Sequence, residues 1–499
     1  MSNLKSLAGQ TAIYGLSSIL GRSVNFLLII VYTTFLSEDA IGAFTGIYAL
    51  IGFLNIVFTF GMETTFFRFA TGKNLDATQV YNTTQSLLVT TSLILGSTVF
   101  LLAPFLAEWM DYPGQAYLFR WMALILCFDA IMAIPFARLR LRNQAWVFAG
   151  AKLLNITLNV GLNIILIVVF PQMIEAGTLQ EGFLGYRTDW GVEYILLANL
   201  LANGLIIPLV WWKAGFFSFK LNGEILKPMW EYAFPLLFMG LAGVTNDLVS
   251  RLLFEYLLPA DFYPGLTSRQ ATGIFGANFK LAVLMNLVIQ AFKYAAEPFF
   301  FKKASDPNSP QLYAKVTHGF IIFTSVLMVA ISVNLNWIGP LFLRQESYSA
   351  ALYIVPVLLM GYLLLGVYFN ISIWFKVTDR TSYSLWITLA GALTSILVIF
   401  LMVPRFGYIG AALSTLASYS LLVIICYFFG QKFYPIPYPT LKLVFYLILG
   451  FVLSYAGFYL EMDNEFIGFI VRNSVVLAML GGIYLLERKD LLMFLKKKN

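Results

Sequence analysis

Apolar runs of about twenty residues recur along this chain from Leu7 to Leu486, and no other feature limits the fold as much. A run of that length is what a helix needs to cross the hydrocarbon core of a bilayer. Lipid offers no hydrogen-bond partner to backbone N–H and C=O groups, so such runs must satisfy their own backbone as helices. Charged residues make up only 11% of the chain and hydrophobic residues 60%. Soluble domains carry roughly 25% charged residues. So few charges cannot cover the water-facing surface of a chain this long, and the fold class is an all-α integral membrane protein.

The runs predict spans at 8–35, 41–67, 83–108, 115–137, 146–170, 191–212, 231–257, 272–298, 314–342, 351–375, 382–403, 407–429, 441–460 and 466–486. That is about fourteen transmembrane helices, and an even number places both termini on one side. One set of loops holds Lys73, Arg138, Arg140, Arg142, Lys213, Lys220, Lys227, Lys302, Lys303, Lys376, Arg380, Lys432 and Lys442. Arg488, Lys489, Lys496, Lys497 and Lys498 follow in the tail, whereas the opposite loops hold Arg187, Arg269, Arg344 and Arg405. The positive-inside rule therefore predicts cytoplasmic termini. The net charge of +7 belongs to these loops and does not point to nucleic acid. Met1–Gln10 has one lysine and no small-residue cleavage site, so the first run is expected to be retained as a span. Cys127 and Cys426 both lie inside apolar runs and are expected as buried thiols, not as a disulfide. The loops are short, and the long outer loop from Pro171 to Trp190 leaves no room for a soluble catalytic domain.

An internal repeat organises the spans. Gly42-Ala43-Phe44 and Asn55 in the second span correspond to Gly273-Ile274-Phe275 and Asn286 in the eighth, at a constant shift of 231 residues. Arg22 precedes Gly42 by 20 residues, and Arg251 precedes Gly273 by 22. The expected organisation is two six-helix lobes, 1–213 and 214–430, with a two-helix appendage and basic cytoplasmic tail at 431–499. Six is even, so the lobes form a parallel repeat, an architecture of transporters with the solute path between the halves.

Polar residues inside the runs mark the candidate site, because charge at membrane depth is costly and faces a bundle interior or aqueous cavity. Helical spacing puts Tyr14, Ser18, Arg22 and Asn25 on one face of the first span. Arg22 reads either as an anion contact in a cavity or as a structural partner of Glu63. Lys152, Asn155, Asn159 and Asn163 share a face of the fifth span, as interhelical glue or as a hydrated wall suited to sugar hydroxyls. Asn286, Gln290, Lys293 and Glu297 share a face of the eighth, with Lys280 off it; Lys293–Glu297 and Asp247–Arg251 have the spacing of local ion pairs. Asp129 and Glu63 can balance the cations or carry a coupling proton. The slight cationic excess favours a substrate with phosphate or pyrophosphate character. No catalytic constellation, metal-ligand cluster or nucleotide loop occurs, and His318, the one histidine, falls near a span end; no enzyme activity and no cofactor are expected.

Several segments together carry a family resemblance. They are Gly61-Met62-Glu63-Thr64-Thr65-Phe66-Phe67-Arg68-Phe69, Pro135-Phe136-Ala137-Arg138-Leu139-Arg140, Gly273-Ile274-Phe275 through Lys280-Leu281, Ala291-Phe292-Lys293-Tyr294-Ala295-Ala296-Glu297-Pro298-Phe299, and Pro404-Arg405-Phe406-Gly407-Tyr408-Ile409-Gly410-Ala411-Ala412-Leu413. In order and spacing the chain resembles the polysaccharide-transport, O-antigen flippase-like branch of the multidrug/oligosaccharidyl-lipid/polysaccharide exporter superfamily. The resemblance implies two lobes around a central cavity, alternating access, and export of polyprenyl-diphosphate-linked oligosaccharide for surface polysaccharide (O-antigen or capsule) assembly. It also implies a bacterial inner membrane, polysaccharide polymerase machinery as a partner, and cavity roles for Arg22, Arg251 and Lys280. Rival functions are a lipid II flippase, whose first span carries an arginine cluster where Arg22 stands alone here, and a multidrug exporter, which places a carboxylate in the first span. A polysaccharide polymerase or ligase would carry a sizeable outer loop with catalytic histidine or arginine, and these outer loops hold no histidine.

Overall fold

The structure, a computed structural model, describes residues 2–72, 75–304 and 306–496, without the side chains of 2–18, 184, 295, 298 and 489–496. Lys73 and the side chains of Tyr14, Ser18, Lys489, Lys496, Lys497 and Lys498 therefore lie outside the described residues. Among the described residues, 13 helices are long and apolar enough to cross a membrane, and Ile19–Phe35 is a shorter apolar helix. Every predicted run has its helix. The chain falls into two compact units, Met1–Gly276 and Ala277–Asn499.

The first unit holds α1 (Ser2–Phe35), α2 (Glu38–Ala70), α3 (Ala77–Leu101), α4 (Ala116–Leu141), α5 (Ala145–Glu175), α6 (Val192–Ala214), α7 (Gly223–Leu257) and the opening turns of α8 (Ser268–Lys303). Helix α4 lies at its centre and packs on α2, α3 and α6. Phe119, Met122, Ile125 and Leu126 of α4 are fully buried against Ile47 and Phe58 of α2 and Leu196 of α6. Side-chain caps fix several helix starts: Ser37 accepts from the Ala40 N–H, Asp76 from Gln79 and Asn222 from Glu224. At the α2–α8 crossing, a Cβ on Gly42 would collide with the Arg269 carbonyl oxygen, and one on Gly273 with that of Glu38. Gln270 Nε2 donates to Asp39 Oδ2 at 2.9 Å beside that contact.

The second unit continues α8 and adds α9 (Ser309–Val333), α10 (Glu346–Val377), α11 (Ser382–Phe406), α12 (Tyr408–Phe433), α13 (Thr440–Phe458) and α14 (Glu465–Lys496). Here α10 is central, packing on α9 and α12, while α13 and α14 lean on α9. Tyr348, Tyr362 and Trp374 of α10 are fully buried.

Predicted spans 83–108 and 314–342 are each divided, as is 41–67 at Phe60 and Gly61. Helix α3 stops at Leu101, and Ala103–Trp109 is a separate short helix with Pro104 in its first turn. A proline there has no N–H to continue the ladder and its ring excludes the carbonyl four residues back. Helix α9 stops at Val333 because the Asn334 amide donates to the Ala330 carbonyl and to Asn473 Oδ1 of α14, competing with the helix for its own backbone. Helix α7 begins eight residues before its apolar run, since Glu224 and Lys227 interrupt hydropathy but not helicity.

Candidate functional site

A break in α2 organises the site. Phe60 and Gly61 have positive φ (31° and 72°), so the helix ends at Thr59 and restarts at Met62 on a new axis. Glycine adopts this conformation without Cβ strain, and a Cβ on Gly61 would also press on Leu236. The restart places Glu63 in the first turn of the new segment, opposite the end of α4.

Helix α4 continues past the run that hydropathy assigned to it, through Pro135 to Leu141. Asp129, Met132, Ala133, Phe136 and Arg140 therefore form one stripe at helical spacing. Helix α2 contributes Gly52, Asn55, Ile56 and Thr59 in the same way, α5 contributes Phe148 and Lys152, and α1 contributes Arg22. Together they enclose a cavity of about 620 Å³ within the first unit. Its wall carries three cations, Arg22, Arg140 and Lys152, against two carboxylates, Glu63 and Asp129.

These charges are held by specific contacts. Arg140 Nη2 donates to Glu63 Oε1, and its guanidinium lies over the Phe67 and Phe148 rings at 4.9 and 5.6 Å. Arg140 Nε is buried with no hydrogen-bond partner among the described residues. Lys152 Nζ sits 4.2 Å from the Phe136 ring centroid. Behind the wall, Asn203 Nδ2 donates to Asp129 Oδ1 at 2.8 Å and Asn155 Nδ2 donates to Asn203 Oδ1 at 3.0 Å. Asn199 extends this network to Tyr48. Arg22 is exposed at the cavity.

The structure thus brings together Arg22, Glu63, Asp129 and Lys152 of the sequence-derived candidates. Glu63 is engaged by Arg140, which hydropathy alone places in a loop. The asparagines of α5 do different work from Lys152: Asn155 reaches α6, and the fully buried Asn163 accepts from Tyr32 of α1 at 3.0 Å and donates to the Asn159 carbonyl. Arg251 Nη2 pairs with Asp247 Oδ2 at 3.0 Å on α7.

In the second unit, Lys280 is half-buried on α8, and Gln290 Nε2 donates to Asn286 Oδ1 at 3.3 Å. Glu297 accepts from Lys376 Nζ at 2.6 Å, and Lys293 Nζ lies 4.2 Å from the Phe369 ring centroid. These side chains surround a void of about 20 Å³, room for roughly one water. His318 Nε2 lies 3.4 Å from Glu487 Oε1 without a hydrogen bond between them, and that oxygen accepts from Tyr446 and Lys442.

The all-helical fold of this span order, with a charged cavity inside its first unit, defines a class by architecture: multi-pass helical membrane proteins with the fold of the MurJ and MATE structures. A structure titled "Lipid II flippase MurJ, inward closed conformation" superposes with a TM-score of 0.70 at 14% identity, over 96% of this chain and 99% of that one. An inward-facing multidrug resistance MATE family transporter gives 0.61 at 15% identity, over 85% and 94%. An outward-facing one gives 0.56 at 16% identity, over 85% and 95%. Comparison with curated proteins gives no match. Residues 31–173, which contain most of the cavity wall, match the profile of the "Polysaccharide biosynthesis protein" family. Over that stretch the chain is similar to this polysaccharide biosynthesis family, and its fold is the one shared by the MurJ and MATE structures.

Proposed function

We propose that this protein moves polyprenyl-diphosphate-linked oligosaccharide across the bacterial cytoplasmic membrane by alternating access, for surface polysaccharide assembly. The observation that carries the reading is the cavity of about 620 Å³ with Arg22, Arg140 and Lys152 exceeding Glu63 and Asp129. A diphosphate matches such a wall: guanidinium groups bind its oxygens with paired, charge-assisted hydrogen bonds. The remaining polar groups, Asn55 and Thr59, suit sugar hydroxyls. The polysaccharide biosynthesis profile over this same region favours a glycan carrier over an organic-cation exporter.

The reading includes two six-helix lobes, 1–213 and 214–430, with α13 and α14 appended. Contacts at the α2–α8 crossing support it. Residues 231 apart meet there: Asp39 with Gln270, and Thr45 with Gly276. Gly42 meets Arg269 while Gly273 meets Glu38, the reciprocal pattern of a two-fold relation. It also includes cytoplasmic termini, which a reporter fused after Asn499 tests: activity there of a reporter that works only outside the cytoplasm would reverse the orientation.

The functional test is complementation of surface polysaccharide with protein level measured in parallel. Arg22→Ala should abolish export at normal abundance, and Arg22→Lys, which keeps the charge but loses the planar fork, should be partly active. Full complementation by Arg22→Ala at wild-type abundance would sink the reading.

A further inference from the structure

The linker between α6 and α7, residues 215–222, is built as a strap. Its first carbonyls are fixed from below. Tyr81 Oη donates to the Gly215 carbonyl at 2.9 Å, Arg138 Nη1 donates to the same oxygen at 3.4 Å, and Arg142 Nη1 donates to the Ala214 carbonyl at 2.9 Å. The Arg138 guanidinium lies 3.8 Å from the Tyr81 ring centroid. Gly215 takes φ 89°, which turns the chain out of α6, and a Cβ there would crowd Arg138. Two strap N–H groups then bond to α3 side chains: Ser218 to Asn82 Oδ1 at 3.1 Å and Lys220 to Ser86 Oγ at 2.9 Å. Phe217 points inward, with its ring 6.0 Å from Trp211.

Pinned in this way, the strap presents apolar rings outward. Phe216 is 72% exposed, Phe219 62%, and Trp212, at the end of α6, 64%. Because the strap joins two successive spans, it lies at a membrane surface. Exposed rings are unfavourable in water but suit the headgroup–acyl boundary, where aromatic residues anchor. Beside them Lys213, Lys220 and Lys227 are exposed, and among the described residues none of the three pairs with a carboxylate. With Arg138 and Arg142 beneath, five cations face two carboxylates, Glu224 and Glu231, over this stretch.

We propose that this strap is a docking surface for anionic phospholipid headgroups, with Phe216 and Phe219 seated at the boundary and Lys213, Lys220 and Lys227 on the lipid phosphates. The site is separate from the transport cavity. It makes the inner end of the α6–α7 connection responsive to the charge of the leaflet it faces.

Native mass spectrometry of the purified full-length chain tests this, with phosphatidylglycerol and phosphatidylcholine as probes. Each lysine at a charged surface contributes about fivefold in affinity. Lys213→Gln/Lys220→Gln/Lys227→Gln should lower phosphatidylglycerol binding by at least about tenfold and leave phosphatidylcholine unchanged. A control that removes the same charge elsewhere, Lys302→Gln/Lys303→Gln/Lys432→Gln, should keep the preference. Phe216→Ser/Phe219→Ser should weaken both lipids alike. An unchanged phosphatidylglycerol preference in the strap variant would overturn the proposal, as would an equal loss in the control. If the triple variant does not fold, Lys220→Gln alone gives the readout, with about fivefold expected and no change contradicting the assignment.

Discussion

Arg22, Arg140 and Lys152 share about 620 Å³ with Glu63 and Asp129, whereas Lys293, Glu297 and Lys376 close around about 20 Å³. Both groups gather charged side chains between packed helices. In the second unit, Lys376 lies directly against Glu297, and Glu487 accepts from Tyr446 and Lys442. In the first unit, the Glu63–Arg140 pair leaves Arg140 Nε unused and Arg22 open to the void. The difference is instructive. Intramembrane charge marks a substrate path when it lines a space large enough for water and solute. Where charges fill each other's coordination, they hold helices together.

The largest expected effect falls in the cavity. Arg140→Ala should abolish polysaccharide complementation as Arg22→Ala does, at undiminished protein level; wild-type export by that variant would remove the α4 stripe from the site. Next comes the closed cluster. Lys376→Gln removes a partly exposed pair with Glu297 and should cost up to about 1 kcal/mol of stability, read as a lower thermal midpoint. Lys376→Gln/Glu297→Gln should recover most of it, and export per folded molecule should stay near wild type. A stable Lys376→Gln protein that cannot export would erase the contrast between the units.

Asp129→Asn sharpens the comparison further. The amide oxygen can still accept from Asn203, so the fold should persist, while the cavity becomes more cationic. Substrate binding should tighten by a few-fold, on the order of one screened charge contact. Loss of export despite tighter binding would assign Asp129 to ion coupling. The smallest effect belongs to the loop before α6, where Arg187 hydrogen-bonds Asp189 and holds its carboxyl below the usual range. That contact is present at neutral pH and is lost only as acid protonates Asp189. Both side chains are exposed, so Asp189→Asn should change export by less than about twofold.

Much of this was legible in the sequence, and the exceptions have physical causes. Hydropathy located the 13 long apolar helices and the shorter Ile19–Phe35 among the described residues because lipid permits few alternatives to a helix. It misplaced ends wherever a helix continues into polar residues, as α7 does at Glu224 and α4 at Arg140. Arg140 was counted as a loop charge for that reason, although 129, 133, 136 and 140 already stood at helical spacing. The break at Gly61 that brings Glu63 to Arg140 falls inside the run predicted at 41–67, because the more polar second half, with Glu63 and Arg68, remains helical after the turn. The α5 asparagines share one face by sequence, but only tertiary packing separates Asn163, buried on Tyr32, from Lys152, which faces the cavity.

The central claim is that the first unit's cavity, and not the charged cluster of the second, takes the diphosphate. Equilibrium binding of polyprenyl-diphosphate oligosaccharide to purified wild-type, Arg22→Ala and Lys376→Gln proteins tests it most directly, with affinities taken per folded molecule. Removing a charge-assisted contact should weaken Arg22→Ala by at least about tenfold, while Lys376→Gln binds as wild type does. Wild-type affinity in Arg22→Ala, or a loss confined to Lys376→Gln, would contradict the account.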